Sequence, residues 1–167
     1  WMYYTPQHLF QYGLWDNLEC SRCGESDAGF FHLAWVCAPI QAYWSQVLHV
    51  LQQVAEVEIN WSPLLVLLGF VKDVPKQWRR LLAIGLIVAK RKLSMRWMGG
   101  PIPTLREWQS DMLYCNTDSD NYHELMPTHS APKDFWGPYR EYLLRSQDTS
   151  LTVSQHSQHS HQTDVTS

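Results

Sequence analysis

The stretch CSRCGESDAGFFHLAWVC, residues 20–37, holds three of the chain's four cysteines and decides how the N-terminal third folds. Cys20 and Cys23 are two residues apart, with Gly24 directly behind them. A two-residue gap lets both sulfurs face one centre from a tight turn, and glycine accepts the positive φ that such a turn often requires. His32 and Cys37 are separated by four residues, which brings them to adjacent sides of a helical turn. The eight residues between the two pairs suffice for a short hairpin or loop that returns the second pair to the first. Cys20, Cys23, His32 and Cys37 then supply four soft or borderline ligands, a closed tetrahedral site suited to one structural Zn2+. A closed site holds structure and activates no water. The competing reading is burial: cysteine is among the most buried residue types, and Cys37 within LAWVCAPI also suits a plain core. Cys115 is the spare thiol and an alternative to His32 as fourth ligand, although it lies far off in sequence. A Cys20–Cys23 disulfide would close a very small, strained loop.

Outward from this stretch, residues 1–19 form an aromatic lead-in punctuated by Pro6 and Gly13. On the C-terminal side, PIQAYWSQVLHVLQQVAEV (39–57) sets Ile40, Tyr43, Trp44, Val47, Leu48, Leu51 and Val54 at helical spacing, with Pro39 in the first turn. NWSPLLVLLGF is broken by Pro63 and Gly69 and reads as a packed connection or a short helix. The longest predicted helix is 75–98, where Trp78, Leu81, Leu82, Gly85, Leu86, Ala89 and Leu93 share a face until Gly99-Gly100-Pro101 stops it. Thr104 with Glu107 three residues on has capping-box spacing, and Leu105, Trp108 and Met112 stripe the helix behind it. CNTDSDN (115–121) reads as a polar loop, and 132–145 as a last short helix interrupted by Gly137-Pro138.

The expected fold is mainly α. A lead-in and zinc knuckle (1–38) precede a packed domain of three to four helices (39–145), which is followed by a disordered tail (146–167). The tail has six Ser, four Thr, four Gln and three His in 22 residues and no Lys or Arg, too little apolar surface to offset its ordering entropy. Its HSQHSH run (156–161) offers a transition metal only isolated ligands on a flexible chain, so no site is expected there. Nine tryptophans in 167 residues let few apolar side chains build a core.

A net charge of −3 argues against coating nucleic acid by bulk basicity, though not against a local basic face. The apolar runs 63–70 and 81–89 are each well short of the roughly 18–20 residues that span a bilayer, and charged residues separate them. The sequence thus predicts a soluble chain with no membrane partner. No charged start followed by an apolar segment and a small-residue cleavage site is present, so no secretory signal is predicted and free or metal-bound thiols are favoured over disulfides.

Eight of the thirteen Lys and Arg fall between residues 72 and 96, against one carboxylate, Asp73. Arg79, Arg80, Lys90, Arg91, Lys92 and Arg96 are the candidate nucleic-acid contacts, since a helical stripe of cations can follow a phosphate backbone. Trp97 and the lead-in tyrosines are candidates for stacking on bases, and Arg22, on the knuckle turn, is a further candidate contact. The alternative is that these cations form the solvated face of an amphipathic helix.

The order C-x2-C-G, an aromatic pair, HLAWVC and then APIQAYWSQV resembles the zinc-binding segment that follows the reverse transcriptase domain in LINE-type non-LTR retrotransposon polyproteins. YYTPQHL (3–9) is similar to that family's aromatic-Thr-Pro lead-in, and SPLLVLLGF to its Pro-x-x-x-LLG stretch. LLAIGLIVAKRKLSMRWMGGPIPTLREWQSDM resembles its alanine-rich helix, tryptophan, proline and Thr-x-x-x-Trp ending. The likeness covers roughly residues 3–115 and is closest to the second open reading frame of vertebrate LINE-like elements. It implies that Cys20, Cys23, His32 and Cys37 ligate one zinc. It also implies a non-catalytic accessory domain that contacts RNA or DNA during target-primed reverse transcription. The upstream reverse transcriptase domain would be its partner, in cytoplasmic ribonucleoprotein and nucleus. The residues agree on catalysis: no Tyr/Phe-x-Asp-Asp turn is present, Asp118 and Asp120 lie in the expected polar loop, and no endonuclease carboxylate–histidine set is seen. The other function class that the sequence leaves open is a structural or protein-interaction module, or the remnant of a decayed element, without nucleic-acid binding.

Overall fold

Two long amphipathic segments set the architecture, and the computed structural model describes residues 4–26, 28–97, 99–125 and 134–146. Among these residues the chain is mainly helical, with no strand. In chain order the elements are α1 (Pro6–Gln11), a π-helical turn (His32–Val36), α2 (Ala38–Ala55), α3 (Pro63–Leu68), α4 (Lys76–Ser94) and α5 (Leu105–Leu125), followed by α6 over 137–146. The predicted tail and its histidine run lie outside the described residues, apart from Ser146.

Helices α2, α4 and α5 pack on one another, α3 lies on α4, and the π-helical turn lies on α2. The inner face of α2 matches the expected one: Ile40, Tyr43, Trp44, Val47, Leu48, Leu51 and Val54 are all buried. On α4, Leu81, Leu82, Leu86, Ala89 and Leu93 are buried and Trp78 packs at the edge of the core. The three helices meet at Gly85. A Cβ built there would lie 2.8 Å from Leu51 Cδ2 and 3.4 Å from Trp108 Cζ2, and the Trp108 indole donates to the Gly85 carbonyl at 2.9 Å. The glycine is therefore a packing device: the Leu51 and Trp108 side chains approach the α4 backbone more closely than a Cβ there would allow without their shifting.

Short elements begin and end where local chemistry directs. The Thr5 hydroxyl accepts from the His8 amide at 3.2 Å with Pro6 next in line, so part of the lead-in is helical. NWSPLLVLLGF contains α3, capped by Ser62, which accepts from the Leu65 amide at 3.3 Å, and closed by Gly69 at φ 75°. The Thr104–Glu107 capping box forms in both directions: Thr104 N donates to Glu107 Oε2 at 2.7 Å, and Glu107 N to Thr104 Oγ1 at 3.2 Å.

Two expectations need correction. CNTDSDN is not a loop, because α5 continues through it to Leu125 and takes Asp118 and Asp120 with it. Asn116 is buried there and its side-chain oxygen accepts from Arg140 at 2.8 Å. The Thr117 hydroxyl is satisfied by the Leu113 carbonyl at 3.1 Å. Polar side chains that would favour a turn in isolation find partners on α5 itself and on α6. Gly137-Pro138 does not interrupt the last helix either; it opens it, as Asp134 Oδ1 accepts from the Trp136 and Gly137 amides at 3.2 and 3.0 Å.

Candidate metal centre

Cys20 stands in a turn closed by two backbone bonds, from the Cys20 amide to Glu25 O and from the Gly24 amide to Cys20 O, each 2.8 Å. Gly24 holds φ 75° there, as the turn requires. A further bond from Ala28 N to Leu18 O, 3.0 Å, folds the following chain back beside the turn. His32 and Cys37 then sit at the two ends of the π-helical turn, with Cys37 N donating to His32 O at 2.9 Å. The wider turn is held in place from α2, whose Trp44 indole donates to the Ala34 carbonyl at 2.9 Å. Cys37 is also the residue before α2, with ψ 122°. One candidate ligand therefore directly precedes α2, and Cys37 and Ile40 on either side of residues 38 and 39 both belong to the core.

These local devices bring Cys20, Cys23, His32 and Cys37 together, with one ligand atom from each lying within 4.8 Å of all the others. Cys20 Sγ is 3.8 Å from Cys37 Sγ, and Cys23 Sγ is 3.3 Å from His32 Nε2. The four lie close enough to hold a metal ion. Cys20 and Cys37 are buried and Cys23 is exposed, so the site sits at the edge of the core with one thiol toward solvent. Cys115 is not part of the group: it is a half-buried residue on α5.

The two buried thiols differ. Burial acts to raise the Cys20 thiol, but the backbone amides of Arg22 and Cys23, with the His32 and Cys23 side chains, outweigh it and bring the group down to about 7. Burial pushes the Cys37 thiol up to about 12, helped by Cys23 and by the nearby Cys20. Of these two buried thiols Cys20 ionises first, and a bound cation is what would bring the Cys37 thiolate into existence at neutral pH.

The knuckle turn docks on the end of α4. Arg22 points inward, and its guanidinium donates to the Arg96 carbonyl and, at 3.1 Å, to the Trp97 carbonyl. The expectation that Arg22 is a nucleic-acid contact meets a different use here, because the turn that follows α4 presents the Arg96 and Trp97 carbonyls and the guanidinium donates to them. Phe30 lies against Trp97 with ring centroids 5.1 Å apart, and the Trp97 indole donates to Tyr4 O at 2.6 Å. Sequence reasoning had no signal for this docking, which joins residues that lie far apart along the chain.

Most of the predicted cationic stripe has partners within the chain. Arg79 donates to Val74 O and Lys72 O at 2.8 and 2.6 Å, and Arg80 lies 4.1 Å above the Phe135 ring. Lys90 Nζ donates to Leu67 O at 3.1 Å. Lys92 pairs with Asp111 at 2.9 Å, and Arg96 pairs with Glu107 through both nitrogens, at 2.5 and 3.2 Å. Arg91 is exposed, as are Lys72 and Lys76.

No family model, no curated protein and no solved structure matches this chain. No helix among the described residues is long and apolar enough to cross a membrane.

Proposed function

We propose that this chain is a non-catalytic module organised by one structural zinc ion, and that it serves as an RNA- or DNA-contacting accessory domain behind the polymerase of a LINE-type retrotransposon polyprotein. The observation that carries the zinc reading is the spacing of the four ligand atoms. Zinc bonds of about 2.3 Å to sulfur and about 2.0–2.1 Å to nitrogen at tetrahedral angles set sulfurs about 3.8 Å apart and sulfur and nitrogen about 3.5 Å apart. Here Cys20 Sγ and Cys37 Sγ are 3.8 Å apart and Cys23 Sγ and His32 Nε2 3.3 Å, and all four ligand atoms lie within 4.8 Å of one another. Three thiolates and an imidazole favour zinc over the hard cations, and four protein ligands leave no position for water, as a structural site demands. The polyprotein assignment is supported by the order of motifs across residues 3–115.

The nucleic-acid part draws support from the cations that remain toward solvent on and before α4, namely Lys72, Lys76 and Arg91. The engagement of Arg79, Lys90, Lys92 and Arg96 within the chain limits this footprint, so affinity is expected to be modest and its salt dependence shallow. A structural module that docks on the polymerase domain without touching nucleic acid is the competing reading, and that same engagement favours it.

Elemental analysis of the purified chain is expected to give about one zinc per molecule, with loss of the metal and of helical signal after Cys20→Ser. A metal-free protein with unchanged helicity would refute the zinc reading. Binding of a labelled RNA at low salt, reduced by Lys72→Glu with Lys76→Glu, tests the nucleic-acid reading. Absence of binding at low salt would leave the docking module.

A further inference from the structure

Beside the metal centre is an open groove of about 160 Å3, walled by Phe30 and Ala34 from the metal-held segment, Trp44 from α2, Leu68 from α3, and Lys90 and Trp97 from α4 and its end. A cavity of about 150 Å3 is enough to hold one benzene ring. The groove therefore takes one flat ring rather than the row of side chains an amphipathic helix inserts. Its walls suit such a ring: Phe30 is 52% exposed and lies tilted by 39° against Trp97. Lys90 stands in the wall, with one of its three N–H groups on the Leu67 carbonyl. Arg91, the next residue along α4, is exposed, and no carboxylate lines the groove.

Aromatic walls with cations and no anion beside them complement a nucleotide, whose base stacks while its phosphate seeks positive charge. We infer that this groove stacks one base of a single-stranded nucleic acid, with Lys90 and Arg91 facing the adjoining phosphate, and that the metal centre builds the site. The second half follows from chain order: Phe30 and Ala34 lie between ligands Cys23 and Cys37, flanking His32. The same residues that close the cage thus set one wall of the groove. The inference rests on the nucleic-acid reading above and adds the place of the base and its dependence on metal.

The test uses the full chain with labelled ten-nucleotide oligo(U) and oligo(dT) at low salt, followed by fluorescence anisotropy, with circular dichroism and zinc content checked for every variant. Phe30→Ala removes an exposed ring, and is expected to weaken binding about tenfold without changing the salt dependence, the size of effect that loss of one base–aromatic stack produces. Arg91→Glu is expected to weaken binding and lower the salt slope by about one. Removing the metal by chelation is expected to abolish the difference between wild type and Phe30→Ala. Stronger binding of oligo(U) than of oligo(dT) assigns RNA as the source of the base, and the reverse assigns DNA. If wild type binds but folded, zinc-loaded Phe30→Ala binds equally well, the groove is overturned while the nucleic-acid reading stands. If wild type binds neither oligonucleotide, both fall. Phe30-dependent binding of a neutral leucine- and phenylalanine-bearing helical peptide, with neither oligonucleotide bound, assigns the groove to a protein and overturns the inference.

Discussion

Arg22 shows how much a single side chain in a metal turn can decide. It sits between two ligands, yet its guanidinium faces the carbonyls of Arg96 and Trp97 at the end of α4. Hydrogen bonds from a charged donor contribute about 1.5–3 kcal/mol, so Arg22→Ala is expected to lower unfolding stability by about that amount while zinc content stays at that of wild type. Thermal melting with elemental analysis checks this; loss of zinc together with stability would mean that Arg22 acts on the cage and not on the docking. Position by position, the four ligands were legible because C-x2-C-G and H-x4-C are local patterns. The direction of Arg22 was not, since its partners are more than seventy residues away.

Among the elements, the start of α5 carries the clearest electrostatic signature. The Arg96 guanidinium, then the Thr104 amide, hold the Glu107 carboxyl at about 2, below its usual 4.5. A carboxyl whose folded value is depressed adds stability that is complete above 4.5 and disappears as pH falls through about 2. Wild type is therefore expected to melt higher than Glu107→Gln above that range, with the gap closing toward the acid end. Protonation of the thiolates affects both proteins alike, so the gap isolates this carboxyl. A gap constant with pH would rule out the ion pair and leave only the neutral part of the cap. The capping box itself is readable from Thr104 and Glu107. The length of α5 is not, because Asn116 and Thr117 are turn-formers whose helical state depends on Arg140 and on the Leu113 carbonyl.

For the whole molecule, the crossing at Gly85 sets how closely α2, α4 and α5 can pack. Gly85→Val places methyl groups against Leu51 and Trp108 where a Cβ alone is already at 2.8 Å. Overpacking of this kind costs about 1–3 kcal/mol, and denaturant titration is expected to show that loss with an unchanged slope. Stability equal to wild type would mean that the helices slide apart freely and that the crossing is not a constraint.

What the sequence determined by itself is local: the apolar stripes of α2 and α4, the cap at Thr104, the first-turn proline at Pro39, and the four candidate metal ligands. Each depends on a spacing within a turn or two, where helical period and turn geometry act without reference to the rest of the chain. Only the tertiary structure decided how the cations of α4 are used. A lysine or arginine on a helix is the same letter whether it faces solvent, a carbonyl or a carboxylate. Which of these it meets is set by neighbours such as Leu67, Glu107 and Asp111, which the fold brings alongside.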